Sequence, residues 1–428
     1  MANNIFLGTA STATMAKTAT PGGTIESGDK FIMVVDDTNG NSETLSVTCT
    51  GTTATQVCTD IASAVSALAS TSLFKSILTV TNNTTFLTFT ANTTGVPFGL
   101  TLSTTENDNS AADAQTFTAA TTVARSGPKD YGVAANWSLA AVPVANDVVF
   151  IDPTAGDILY GLAQSTVEID GFYRPLAHQG HIGDNTNYLY IDVEDTKPVE
   201  IDYHFGPTLS APSRRTMIRT AGAPVTTVHN VPTSCGVTAE NGKPPTRLLF
   251  GSASASLYVV GGTGTVGIAK NKAGETSTIG TVNVTSTSAS VVIGLDTTIT
   301  TVRQTAGDVI IESAITNIYQ YGGTLTKWGS GATDTALCYG GICTINGSGA
   351  ITSTATSLGG ALYLNTTGTV AQARAFGGLV SHLQSSAART DGAVSLEPGS
   401  SFYSDNSYMT LTNNIVASGL VELEAIAG

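Results

Sequence analysis

The chain has 428 residues, enough for more than one domain and an ample core. Charged residues make up only 12%, about half the usual share, and the formal net charge is −14, which argues against a basic face for nucleic acid. Hydrophobic residues still reach 41%, with many Gly, Ser, Thr and Ala between them, so the composition points to a repetitive all-β architecture rather than disorder. No apolar run approaches a membrane span, so no membrane partner is expected. Met1 to Gly8 lacks the basic start and long apolar core of a signal peptide, so synthesis in a cytoplasm is expected. The five cysteines form no Cys-x-x-Cys pair. Cys49 and Cys58 are close enough in sequence to pair, but free buried thiols are the expectation at this size.

Residues 1–25 are rich in Thr and Ala around one apolar run, Ile5-Phe6-Leu7, and read as an arm that orders by adding a strand to a partner's sheet. Residues 26–105 read as a small α+β domain. Phe31 to Val35 and Thr44 to Thr50 form a hairpin around Asn39-Gly40. Thr53 to Ala69 carries Val57, Ile61, Val65 and Leu68 at helical spacing, and it is the one convincing helix. Two more strands, Ile77 to Thr81 and Phe86 to Ala91, and a last one at Phe98 to Leu102 complete the unit. Residues 106–136 read as a linker.

A parallel β-helix, or β-solenoid, is expected over 137–383. Trp137, ahead of Val142-Pro143 and the alternating strand at Val148 to Ile151, is placed as the cap of its first coil, whose open edge would otherwise invite aggregation. From 150 to 250 the coils are irregular. The stretch from His204 to Thr216, followed by Arg219, reads as an extended loop bearing Arg214 and Arg215. Residues 384–428 lose the glycine period and read as a closing segment.

The solenoid rests on a recurring phrase: a bulky residue, two glycines, then apolar residues. It reads Tyr321-Gly322-Gly323, Tyr339-Gly340-Gly341, Leu358-Gly359-Gly360 and Phe376-Gly377-Gly378, with a weaker copy at Ala306-Gly307. The last glycines are Gly307, Gly323, Gly341, Gly360 and Gly378, at steps of 16, 18, 19 and 18 residues. A period this short suits one β-solenoid coil rather than a helical hairpin. At ~3.3 Å per residue, a coil traces roughly 60 Å, room for three short strands and three corners. The five glycines are expected to turn corners at positive φ, and the bulky residues two places earlier to stack coil on coil. Five positions before the last glycines stand Val302, Ile318, Ala336, Ala355 and Ala373, the signature of one inward column.

No catalytic residue, metal site or cofactor is expected. His178 and His181 are spaced i, i+3 in a loop without further ligands. Gly262-Thr263-Gly264-Thr265 lacks the Lys-Ser/Thr pair of a phosphate loop. A polysaccharide-cleaving β-helix would need a carboxylate pair on one face. Asp308, Glu312 and Asp334 are the acids to weigh, but the positions stacked beside Asp308 carry no acid. Tyr319 and Trp328 are the aromatic candidates for contact with glycan.

The order of short motifs resembles virion structural proteins of tailed bacteriophages. It runs Leu7-Gly8-Thr9-Ala10, Gly28-Asp29-Lys30-Phe31, Thr53-Ala54-Thr55-Gln56-Val57, Thr94-Gly95-Val96-Pro97-Phe98, Ser126-Gly127-Pro128 and Ala135-Asn136-Trp137-Ser138, ending in the double-glycine coils. The resemblance covers most of the chain and implies a small α+β domain joined to a β-helix. It also implies a non-enzymatic role on the outer particle surface, either decorating the capsid or attached to the tail as a fibre or spike. On that footing the major capsid protein is the expected partner, a homotrimer the expected assembly, and Ile5-Phe6-Leu7 the capsid anchor.

Overall fold

The computed structural model describes residues 2–107, 115–175, 177–184, 186–202, 215–232, 243–383, 388–405, 409–419 and 422–426. The chain starts in the solenoid, leaves it and returns. Strand Asn3–Phe6 runs parallel to Val148–Ile151, pairing Asn3 with Val148 and Phe6 with Ile151. Phe6 is fully buried. The chain then crosses a neck where Ala13 N donates to Ser126 O at 2.9 Å and Ser126 Oγ to Ser11 O at 2.8 Å. Between Ala13 and Ser126 lies the small domain.

This corrects three boundaries. Residues 1–25 are not a free arm, and the anchor role given to Ile5, Phe6 and Leu7 loses its basis. Their hydrogen-bonding edge is satisfied within the chain, by a partner more than 140 residues away that a local pattern cannot show. Strand Gln115–Val123 pairs antiparallel with Ala16–Gly23 across its whole length, so this part of 106–136 is sheet and not linker. The domain therefore needs both flanks of the 26–105 stretch.

The small domain holds two antiparallel sheets. One has the order Leu78–Asn82, Leu87–Ala91, Ala16–Gly23, Gln115–Val123; the other Ser42–Thr48, Lys30–Asp36, Gly99–Thr105. Helix Ala54–Ala67 buries Val57, Cys58, Ile61 and Val65, as its spacing dictates, and Thr53 Oγ1 caps it by accepting from Gln56 N. Phe31 and Phe117 meet edge to face at 5.4 Å, which joins the two sheets in one core.

In the solenoid, two parallel sheets run the length of the stack. Each regular coil contributes one longer and one shorter strand, such as Thr297–Gln304 and Asp308–Ile311. Three separate strands were expected; instead the longer strand bends. In Thr297–Gln304 the alternation of buried and outward residues breaks at Thr301 and Val302, both buried, and that bend supplies the third side. The expected inward column is present: Val302, Ile318, Ala336, Ala355 and Ala373 are in register and at most 1% exposed. Each fully buried Val or Ile in such a column contributes about 1.5–3 kcal/mol. Past 383 the stack continues. Arg389–Leu396 pairs with Val370–Ala375, Ser401–Asp405 with Leu379–Ser381, and Glu422–Ile426 with Ser401–Asp405, so these residues extend the coils rather than form a separate closure.

The motif Ala-Asn-Trp-Ser is the joint between the returning chain and the first coil. Asn136 is fully buried; its Nδ2 donates to Gly127 O and Asp130 O, both at 2.8 Å, and its Oδ1 accepts from Ala10 N at 2.7 Å. Trp137 Nε1 donates to Tyr131 O at 2.8 Å, with its ring edge-on to Phe6 and Tyr131 at 5.2 and 4.6 Å. Ser138 Oγ accepts from Ile5 N at 3.0 Å. Trp137 thus seals the interior, while Asn3–Phe6 covers the backbone edge.

At the corners, Gly307, Gly323 and Gly341 take positive φ, as expected. Gly360 and Gly378 do not; in those coils Gly377 carries the positive φ and Gly359 is close to extended. The second glycine is still required there by close approach, since a Cβ on Gly360 would run into Cys338 Sγ and one on Gly378 into Ser357 Oγ. Those two atoms belong to an interior polar ladder at the position three before the last glycine: Gln304, Gln320, Cys338 and Ser357, in register and at most 1% exposed. Gln320 Nε2 donates to Gly323 O at 2.9 Å and to Ile342 O at 2.7 Å in the next coil, and Gln304 Nε2 does the same for Gly307 and Thr324. The corner carbonyls Gly307 O and Gly323 O already accept from Thr324 N and Ile342 N of the next coil, and the ladder adds a second donor to each and ties neighbouring coils together. Gln320→Ala removes two such bonds, and a loss of about 1–3 kcal/mol is expected in urea unfolding; an unchanged midpoint would mean that water substitutes for the amide.

Candidate functional site

The three acids weighed for catalysis are held apart. Asp308 faces outward between Ser290 and Thr324 of the flanking coils. Glu312 is engaged by Lys270 Nζ at 2.8 Å. Asp334 lies in a shallow, threonine-rich groove, where it accepts from Thr352 Oγ1 at 2.9 Å. The aromatic candidates are likewise separate. Tyr319 lies under the Arg303 guanidinium at 4.7 Å on the longer-strand sheet, while Trp328 is half exposed past the end of Thr324–Lys327 on the other. Tyr321 and Tyr339 stack at 4.7 Å and 10°, the coil spacing expected of the repeat.

His178 and His181 serve the backbone. His178 Nε2 lies 3.1 Å from Gly156 O, and His181 Nδ1 accepts from Arg215 N at 2.9 Å. Arg215 is buried and bonded to Gly183 O rather than displayed on a loop. His204, Arg214 and Cys235 lie outside the described residues. Cys49, Cys58, Cys338 and Cys343 are free and buried, and burial pushes the Cys58 and Cys338 thiols up to about 11, far from a reactive thiolate. Glu26, Asp29 and Glu106 bring carboxylate oxygens within 4.8 Å of one another, with one Asp29 oxygen accepting from Glu26 N at the turn that enters Lys30–Asp36.

A cleft of about 530 Å³ lies between the small domain and the early coils. Its outer wall is Thr38, on the hairpin turn, and Pro97. Asp37 builds that turn by accepting from Asn39 N and Asn41 N, each at 2.8 Å. Burial alone would raise the Asp37 carboxyl, but these bonds and those from the Asn side chains outweigh it and hold it below its ordinary value. Gly40 abuts Thr186, so the turn rests against the early coils there.

The floor and inner wall come from the coils. Tyr190 and Arg219 are register partners on adjacent strands, and the guanidinium lies over the ring at 4.5 Å. Tyr188 donates to Glu275 Oε2 at 3.0 Å; burial, then the Glu275 charge, push its phenol well above the usual range. Tyr160, raised mainly by burial, and the exposed Arg125 and Lys272 complete the lining. Both acids of the cleft are committed inward. Asp184 accepts from Thr186 N, Asn187 N and Asn187 Nδ2, and Glu275 from Tyr188 and Asn271 N. The residues of the cleft were not found from the sequence, although Tyr188 and Tyr190 at i, i+2 in a strand signal a shared face. Compared with family models, with curated proteins and with solved structures, the chain matches none.

Proposed function

We propose that the chain is a non-enzymatic structural protein of a tailed-bacteriophage virion, which decorates the outer capsid surface as a homotrimer bound to the major capsid protein. The observation that carries this reading is the stack itself: a long, hydrogen-bonded solenoid whose three weighed acids are dispersed over separate positions, joined through a narrow neck to a compact domain. The order of sequence motifs and the acidic, charge-poor composition support it. With Asn3–Phe6 taken up by the chain's own sheet, the docking surface of this reading becomes the small domain. The trimer contact would use an apolar ridge that follows a corner of the stack, Tyr321, Tyr339, Leu358 and Phe376, all more than a third exposed.

The test is copy number per purified particle by quantitative mass spectrometry. Hundreds of copies are expected; a handful would overturn the reading in favour of a tail-attached fibre or spike. Incubation with host capsule or lipopolysaccharide is expected to release no oligosaccharide. Release that disappears in Asp308→Asn or Asp334→Asn would show an enzyme instead.

A further inference from the structure

We infer that the cleft between the small domain and the early coils is a binding site for an acidic oligosaccharide, with Arg219 and Lys272 taking its carboxylates and the tyrosines its sugar rings. The site is additional to the structural role and does not depend on it.

Charge is the first argument. Lys and Arg number 18 against 32 Asp and Glu, yet Arg125, Arg219 and Lys272 converge on this one cleft. Arg125 is held by Asp130 at 2.8 Å. Among the described residues, no carboxylate forms an ion pair with Arg219 or Lys272. The two acids of the lining accept bonds from internal donors, and Glu275 is buried, so the exposed charges without an ion-pair partner at the cleft are the cations Arg219 and Lys272, in a chain that is otherwise negative. An anion is the complementary ligand. Arg219 is pre-set for it, because stacking on Tyr190 fixes the guanidinium plane and leaves its edge for a bidentate carboxylate.

Shape and lining choose among anions. At about 530 Å³ the cleft is of ligand size, within the usual 300–1,000 Å³. Phosphate and nucleotide sites draw on backbone N–H groups at helix N-termini or in glycine nests. This cleft is walled by strand side chains and loops, and the α-helices of the small domain, Ala54–Ala67 and a single further turn at Leu73–Ser76 that the sequence reading missed, lie outside its lining. Tyr160 and the uncovered part of Tyr190 offer partly exposed aromatic surface, and Tyr188 a hydroxyl fixed on Glu275, suited to the C–H faces and hydroxyls of sugar rings.

The test uses the full chain and three probes: oligogalacturonate, a hyaluronan tetrasaccharide and an oligosialic acid, with methyl-esterified oligogalacturonate as the neutral control. In isothermal titration at least one acidic probe is expected to bind and to weaken with added salt. Arg219→Gln with Lys272→Gln is expected to weaken that binding by about tenfold or more, at unchanged melting temperature. Tyr190→Ala, which removes the platform under Arg219, provides a second variant at the same site and is expected to weaken binding too. Binding by none of the three acidic probes, equal binding of the esterified control, or full binding by the double variant would each overturn the assignment. The particle copy number is read separately, so failure here leaves the structural reading to stand or fall by itself.

Discussion

Gly323→Val is expected to lower stability by about 3–5 kcal/mol, by combining backbone strain with overpacking. Gly323 has φ +76°, a region a β-branched residue avoids. Its added Cβ would also press on Gly307 O and sit 2.7 Å from Gln304 Nε2, the amide that donates to carbonyls of two coils. Neither neighbour has room to give, because each is hydrogen-bonded to the adjacent coil. Gly377→Ala separates the two causes. Gly377 has φ +82° but open space where a Cβ would go, so only the left-handed backbone cost of about 1–2 kcal/mol is expected. Urea unfolding of both variants, followed by circular dichroism, measures the difference. Equal losses would mean that coil-to-coil contact adds nothing to the corner requirement, and near-neutral values at Gly323 would remove the physical basis of the glycine period.

The same corners show what a sequence of this kind can and cannot disclose. A period of about 18 residues is legible because each coil repeats one geometric problem, so glycine, bulky stacker and inward residue recur at fixed offsets. The phase of that solution is not legible. The coils at Gly359-Gly360 and Gly377-Gly378 solve the corner differently, and the choice depends on the side chains below, Cys338 and Ser357. The polar ladder lies at a constant offset from the glycines, yet Gln, Gln, Cys and Ser share no hydropathy and so leave no periodic signal. Lys327 is similar. It stands inward between Ile311 and Ile345, buried to 1% exposure, with Nζ donating to Trp328 O at 3.1 Å, and burial lowers its pKa. Alternation places it on the inner face with Leu325, but its charge alone would have turned it outward. The cleft was out of reach for a further reason: its walls come from a hairpin turn, a loop before Leu189–Val193 and strands of successive coils, and only the docking of the small domain brings them together.

Residues far apart in sequence also make the joint that starts the stack, and removing either of its aromatic members is expected to cost about as much as any core truncation. Phe6 and Trp137 are 0% and 2% exposed, and they pack with Tyr131 as one aromatic group. Phe6→Ala and Trp137→Ala are each expected to destabilise by about 3–5 kcal/mol, through lost burial and the cavity left behind. Because the two rings touch, the double variant should deviate from additivity by about 0.5–3 kcal/mol. The physical consequence goes beyond stability. Asn3–Phe6 occupies the hydrogen-bonding edge of Val148–Ile151, and Leu7 N adds a bond to Asn136 O at 2.6 Å. Phe6→Ala weakens the hold of that strand, and a free parallel edge at the end of a solenoid is a template for another chain. Thermal unfolding with light scattering should therefore show concentration-dependent association in Phe6→Ala below its melting point, whereas Gly377→Ala, of comparable provenance but distant from the edge, stays dispersed. If Phe6→Ala melted within about 1 kcal/mol of the parent and did not associate, the first strand would be an accessory, and its availability to a partner would have to be reconsidered.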